Sequence, residues 1–224
     1  MPVATCAIFD VNETLSDLSP LADCLEEVGA PRQLLAPWFA GTLRDGIGLT
    51  AAGGYADFRD IGADGLRGLL VGVSELRVSL DAAVDHVLDG FATLAVHPDV
   101  PDGFRRLHAA GVRIATLTNG AAKNAVGLLE RAGVGDLVER FLSVSDVKRW
   151  KPAPEPYRYA CAQMGVAESD AVLIAAHPWD IDGAKRAGLH GAWLDRDSRP
   201  YPRSMLAPDV TSDRLDTLAD ALLT

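Results

Sequence analysis

Apolar residues follow two alternating rhythms along this chain. Short unbroken apolar stretches occur at Ala4–Phe9, Val112–Leu117, Phe141–Val144, Ala171–Ala176 and Gly191–Leu194. A continuous run of that length predicts a strand buried on both faces, as in a parallel sheet. Between these runs the apolar positions return every three or four residues, and the helical segments they predict stop at glycine. Pro101–Ala110 precedes Gly111, Ala121–Ala132 precedes Gly133, Pro154–Met164 precedes Gly165, and Asp180–Ala187 precedes Gly188. Glycine just past a helix adopts the left-handed conformation that ends it. Strand and helix therefore alternate, which predicts an α/β fold with a Rossmann-like, doubly wound parallel sheet.

One interval breaks the alternation. About a hundred residues separate the first strand from the second, far more than one crossover needs. The segments "PLADCLEEVGA", "PRQLLAPWFAGTLRDG" and "SLDAAVDHVLDGFATL" read as amphipathic helices with leucine, tryptophan and phenylalanine on one side. They predict an inserted helical cap over residues 16–97, leaving 1–15 and 98–224 as the core. The tail after Asp195 carries Arg199, Pro200, Pro202 and Pro208 and reads as loop before a last helix near Asp213–Leu223.

Composition narrows the partners. With 48% hydrophobic and 23% charged residues the chain has the balance of a self-folding globular protein. A formal charge of −10 argues against a nucleic-acid or anionic-membrane surface, since phosphates attract a basic field. A small anionic substrate can still enter a local positive pocket. Cys6, Cys24 and Cys161 form no C-x-x-C pair, so they suggest neither a disulfide framework nor a zinc site but buried thiols in a reducing compartment. Residues 1–10 lack the basic start of a secretory leader, and no apolar run reaches the roughly 20 residues of a membrane span. The expectation is a cytoplasmic protein. Apolar faces in the insertion beyond what one core hides lead us to expect a homodimer.

Ligands of open parallel sheets bind at the carboxyl ends of the strands, so the residues leaving each strand are the candidates for chemistry. They are Asp10, then Thr118-Asn119-Gly120, then Lys151, then His177 and Asp180. Asp10 reads either as a nucleophile able to form an ester or as an acid capping a turn. Lys151 reads as a partner for that carboxylate and for an anion, or as a surface lysine before a proline-rich turn. Thr118-Asn119-Gly120 suits an anion at a strand-to-helix turn, or a simple helix N-cap. Asp180 activates water or holds the lysine, or else caps the helix beginning there.

Taken in order, Asp10, Thr118-Asn119-Gly120, Lys151-Pro152 and Asp180-Ile181-x-Gly183-Ala184-x-x-Ala187-Gly188 resemble the four motifs of the haloacid dehalogenase superfamily. The likeness runs the length of the core, and the insertion falls where that family places a helical cap. Tyr157 in "KPAPEPY" is similar to the tyrosine of the 2-haloacid dehalogenases of type II. The resemblance implies that Asp10 attacks the halogen-bearing carbon, and that water, assisted by Asp180, hydrolyses the ester. It further implies that Thr14, Thr118 and Asn119 orient the carboxylates, and that Lys151 and Tyr157 complete the polar network.

Two departures separate this chain from the phosphatases of the superfamily. Those enzymes carry an aspartate two residues after the nucleophile, which protonates the leaving alkoxide; here Asn12 stands there and has no titrating proton. A halide needs none. They also hold Mg²⁺ with an acid four residues before the position of Asp180, and that place is Ala176. Two lost oxygen ligands make a poor site for a hard cation, so no metal and no cofactor are expected. The type II enzymes receive halide on a cap arginine whose place is taken by Phe39; Arg44, one turn on, is the candidate substitute. His177 falls where the family has an asparagine and reads either as a substrate contact, as Asn12 and Thr14 do, or as a ring packed beside Trp179. Alternatives are a phosphatase-like hydrolase of the same superfamily and a non-catalytic relative that binds a small anion.

Overall fold

The computed structural model describes residues Thr5–Leu223. Ala4, the first residue of the first predicted strand, lies outside the described residues. In chain order come β1 (Cys6–Phe9), then four helices, α1 (Pro20–Glu27), α2 (Leu35–Ala51), α3 (Phe58–Leu70) and α4 (Leu80–Asp89). There follow α5 (Val100–Ala109), β2 (Arg113–Thr118), α6 (Ala122–Arg131), β3 (Arg140–Ser143), α7 (Pro154–Met164), β4 (Ala171–Ala175), α8 (Pro178–Arg186), β5 (His190–Leu194), β6 (Val210–Ser212) and α9 (Leu215–Leu222).

The six strands form one sheet in the order β3-β2-β1-β4-β5-β6, with every neighbouring pair parallel. All residues of β1 and β4 are buried, which is why both read as unbroken apolar runs. Cys6 and Ile8 point into a cluster with Tyr157, Cys161 and Met164 of α7 and with Ile181 and Ala184 of α8. Phe9 points the other way, onto Phe104 of α5 with ring centroids 4.6 Å apart. Helices therefore cover both faces, as the Rossmann-like reading requires. The Cys6 and Cys161 thiols lie inside this core, where burial pushes their pKa values up to about 11 and about 12.

The glycine stops hold in the structure. Gly165 and Gly188, for example, have φ of 63° and 104°, closing α7 and α8. α8 begins at Pro178, two residues ahead of the predicted start, because proline suits the first turn of a helix. Asp180 consequently sits within the first turn and does not cap it. The tail read as loop holds a sixth strand. Its pairing with β5 is anchored by Asp209, whose N–H donates to the Gly191 carbonyl at 2.7 Å and whose carboxylate takes the Gly191 N–H at 2.8 Å and Lys185 Nζ at 2.5 Å.

The chain divides into two compact units, with seams at Ser16/Asp17 and Leu94/Ala95. The sequence reading puts them at 15/16 and 97/98. Ser16 stays with the sheet unit because it bridges Asn12 on one side and Val96 on the other. The helical unit, Asp17–Leu94, has its own core around Trp38, 1% exposed, whose indole N–H donates to the Gly62 carbonyl at 2.9 Å. Among the described residues no helix is long and apolar enough to cross a membrane.

Candidate active site

In the sheet the strand order reverses at β1, so the crevice beyond β1 and β4 is the topological switch point at which such folds place ligands. Asp10 leaves β1 there with its N–H on the Ile174 carbonyl at 3.1 Å, and Ala176 and His177 leave β4 beside it. Lys151 comes from the loop after β3, ahead of α7, and precedes a cis peptide bond to Pro152.

Asp10, Lys151 and Asp180 converge in the interior of the sheet unit. Lys151 is 0% exposed and its ammonium donates to Asp10 Oδ1 at 2.9 Å and to Asp180 Oδ2 at 2.6 Å. The other oxygen of Asp180 accepts the Tyr157 hydroxyl at 2.5 Å. Asp10 Oδ2 accepts the Thr14 hydroxyl at 2.7 Å, and Thr14 Oγ1 in turn accepts the Ala176 N–H at 2.9 Å, tying the turn after β1 to the turn after β4. Asn119 grips the backbone of Lys151, accepting its N–H at 2.9 Å and facing its carbonyl at 3.5 Å. The Thr118 hydroxyl accepts the Gly120 N–H at 2.9 Å, and Ser143 donates to the Gly120 carbonyl at 2.8 Å. Thr118-Asn119-Gly120 is thus a built turn rather than the N-cap of α6, which begins past Ala121.

Buried charges must compensate one another, and these do. Burial alone would raise the Asp10 carboxyl, but Lys151, His177 and the Thr14 hydroxyl outweigh it and hold the group far below the usual carboxylate range. Asp180 moves the other way: burial and the negative charge of Asp10 raise it, against Lys151 and Tyr157. Lys151 loses to burial and gains more from the two carboxylates, so it stays charged. Burial and Asp180 keep the Tyr157 hydroxyl protonated as a donor. One carboxylate is therefore a persistent anion and its neighbour a stronger base.

His177 stands over the same group, with Nδ1 3.4 Å from Asp10 Oδ2 and Nε2 2.8 Å from Glu13 Oε2. Burial disfavours its charge, yet the two carboxylates prevail and raise its pKa to about 10, giving a second cation beside Asp10. Glu13 went unread in the sequence. It holds a left-handed backbone, φ 61°, and its carbonyl lies 3.2 Å from His97 Nε2. A non-glycine residue in that region is held there at a cost by its surroundings. Arg196 is the other unread contributor: it donates to the Thr14 carbonyl at 3.0 Å and to Asp99 at 2.7 Å, bracing the turn from behind.

Asn12 is half-buried on that turn, its amide nitrogen 3.6 Å from the place a Cβ on Gly120 would occupy. Arg44 is on α2 of the helical unit, with its side chain 76% exposed and bound to Asp45 at 2.7 Å and 3.0 Å. Phe39 is buried in that unit, near Phe58 at a centroid distance of 6.2 Å.

The Mg²⁺ used by phosphatases of this fold does not fit these residues. Both carboxylates already spend an oxygen on Lys151, whose ammonium is the cation between them, and Asn12 and Ala176 add no charge.

A family model and several relatives match most of the chain. A family model described as a haloacid dehalogenase-like hydrolase matches residues 4–188. The chain is 27% identical over 225 residues to (S)-2-haloacid dehalogenase 1 of Pseudomonas sp. strain CBS-3, covering 99% of this chain and 97% of that protein. It is 29% identical over 228 residues to a plasmid-borne phosphoglycolate phosphatase of Cupriavidus necator, covering 98% and 93%. A solved L-2-haloacid dehalogenase of Xanthobacter autotrophicus, with chloropropionic acid covalently bound, superposes at a TM-score of 0.88 and 22% identity over 98% of each chain.

Proposed function

Because the chain belongs to the haloacid dehalogenase-like hydrolases, we propose that it cleaves the carbon–halogen bond of short 2-haloalkanoic acids, giving 2-hydroxy acids without a metal. The carrying observation is the buried ammonium of Lys151 between Asp10 and Asp180, in a chain that has Asn12 and Ala176 where a phosphatase needs acids.

Asp10 is the nucleophile. Its carboxylate is ionised at any working pH, and one oxygen attacks C2 of the substrate from the side opposite the halogen. The C–O bond forms as the carbon–halogen bond breaks, the halide leaves with the electron pair, and an aspartyl ester of inverted configuration results. Lys151 and His177 supply positive charge for the substrate carboxylate, and neither needs to give up a proton. On the helical unit Arg44 is assigned to anion binding, since an exposed pair with Asp45 gives way to a ligand at little cost.

In the second half, water attacks the ester carbonyl of Asp10 and Asp180, its basicity raised by burial, takes the proton. The ester collapses to hydroxy acid and free Asp10, and the proton then passes from Asp180 to solvent. Thr14 and Asn119 keep the geometry, the first through Asp10 itself and the second through the Lys151 backbone. Thr118 shapes the turn that carries Asn119, Tyr157 orients Asp180, and Asn12 lines the pocket as a neutral donor. The covalent adduct of the Xanthobacter relative is in keeping with this path. A cytoplasmic location and a homodimer accompany the proposal, the homodimer supported by apolar side chains left exposed on the helical unit, Val71 and Val78 among them.

The test is halide release from racemic 2-chloropropionate in EDTA by the wild type and by Asp10→Asn. Chloride from the wild type alone supports the proposal. Phosphate release from an ester in Mg²⁺, with no chloride, would mean instead the phosphatase reading that the Cupriavidus relative favours.

A further inference from the structure

A second group of chemically reactive side chains lies within the helical unit, on α1 and α4. Cys24 and Glu27 are three apart on α1 and so share one face of it. His86 reaches them from the last turn of α4. The Cys24 sulfur, a Glu27 carboxylate oxygen and a His86 ring nitrogen lie within 4.8 Å of one another, and His86 Nε2 is already 2.7 Å from Glu27 Oε2. The scaffold beneath them is fixed. α1 buries Leu21, Ala22 and Leu25, while α4 buries Ala83, Val84, Val87 and Leu88. At the end of α4 the sulfur packs against Gly90, where a Cβ would come within 3.0 Å of it.

The donor set selects the ligand. A thiolate, an imidazole and a carboxylate together are the ligands of a borderline-soft divalent ion in tetrahedral coordination, and a poor match for Mg²⁺ or Ca²⁺, which take oxygen. Zinc holds such atoms at about 2.0–2.3 Å, so the three must draw together. Glu27 and His86 are exposed, so rotation about their side-chain bonds can bring the donors in. The surroundings help: the negative charges of Asp23 and Glu26, on α1 with Cys24 and Glu27, favour a cation there. Arg32 offsets part of that field by pairing with Asp23 and Glu26, and Arg77 by lying 3.4 Å from the Glu27 carbonyl.

We propose that Cys24, Glu27 and His86 bind a zinc-like divalent transition-metal ion that fastens α1 to α4. On binding, the Cys24 thiol gives its proton to solvent, metal bonds replace the Glu27–His86 hydrogen bond, and water fills the fourth position. Cysteine spacing alone hides this site, since two of its three ligands are not cysteines and the histidine is 59 residues from the glutamate. The inference is independent of how the carboxylate site works.

The experiment uses the full chain titrated with Co²⁺ and read by absorption, with Zn²⁺ as competitor and thermal melting in parallel. Cys6 and Cys161 are buried at 0% and 1% exposure, so a thiolate-to-cobalt charge-transfer band reports Cys24. The expected result is a band that Zn²⁺ abolishes and Cys24→Ser removes, with a Zn²⁺-dependent rise in melting temperature that both Cys24→Ser and His86→Ala lose. No band, a band that survives Cys24→Ser, or an equal Zn²⁺ effect in wild type and His86→Ala would overturn the proposal.

Discussion

Lys151 Nζ stands 2.6 Å from Asp180 and 2.9 Å from Asp10, with no part of the lysine open to solvent. Two buried carboxylates close to one ammonium depend on it for their ionisation, so the lysine is a structural requirement and, on the proposed mechanism, a chemical one. Replacing it by methionine keeps the volume and deletes the charge. Lys151→Met should lose activity altogether and cost about 3–5 kcal/mol, the usual range when one partner of a buried ion pair is removed. Urea unfolding followed by circular dichroism measures the second effect.

Thr14 offers a cleaner dissection, because valine has the same shape. Thr14→Val removes the donor to Asp10 and leaves the Ala176 N–H without its acceptor. Hydrogen bonds to charged groups are worth about 1.5–3 kcal/mol, so kcat should fall roughly ten- to a hundredfold while the fold survives. Steady-state halide release gives the number.

The pH response of stability belongs to His177. Its pKa rises from the ordinary value of 6.5 to about 10 on folding, so the folded state holds the proton more tightly than the unfolded one. That stabilisation is complete below about pH 6.5 and is lost as pH climbs through about 10. The melting temperature should decline across this window in the wild type and decline less in His177→Asn. Equal slopes in a differential scanning series would refute the assignment.

Gly183 is required by proximity. A Cβ there would lie 2.5 Å from Pro152 Cβ, 2.7 Å from Tyr157 Oη and 2.9 Å from the Pro152 carbonyl oxygen. Alanine improves helix propensity by about 1 kcal/mol, but overpacking costs about 1–3 kcal/mol and the backbone neighbour cannot yield. Gly183→Ala should therefore be destabilised, with kcat reduced because Tyr157 loses its place against Asp180. Thermal melting and turnover on the same sample check both.

The parts of this molecule that could be read in advance are those whose cause is local. β1 and β4 are buried on both faces and show it as unbroken apolar runs, and the site residues Asp10, Lys151 and Asp180 follow from where strands end. β6 escaped notice because three partly exposed residues owe their strand to β5 and to the clasp of Asp209. α3 escaped for a related reason. Gly62, Gly65 and Gly68 weaken its helical pattern, yet a Cβ on Gly62 or Gly65 would sit 3.5 or 3.4 Å from the Trp38 ring, so the glycines let the helix approach that indole. Glu13 carried no signal, since an acid in a turn gains meaning only from His177, which lies 164 residues away.

On the proposed function the substrate is itself an alkylating agent, and the side chain such reagents attack most readily is a thiolate. Burial holds Cys6 and Cys161 as neutral thiols at any physiological pH, and burial followed by the charges of Glu27 and Asp23 pushes metal-free Cys24 in the same direction. The placement of Cys6 and Cys161 thus favours tolerance toward such a reagent: the core that carries Asp10, the oxygen nucleophile of the proposed mechanism, holds these two sulfurs in the neutral, unreactive form.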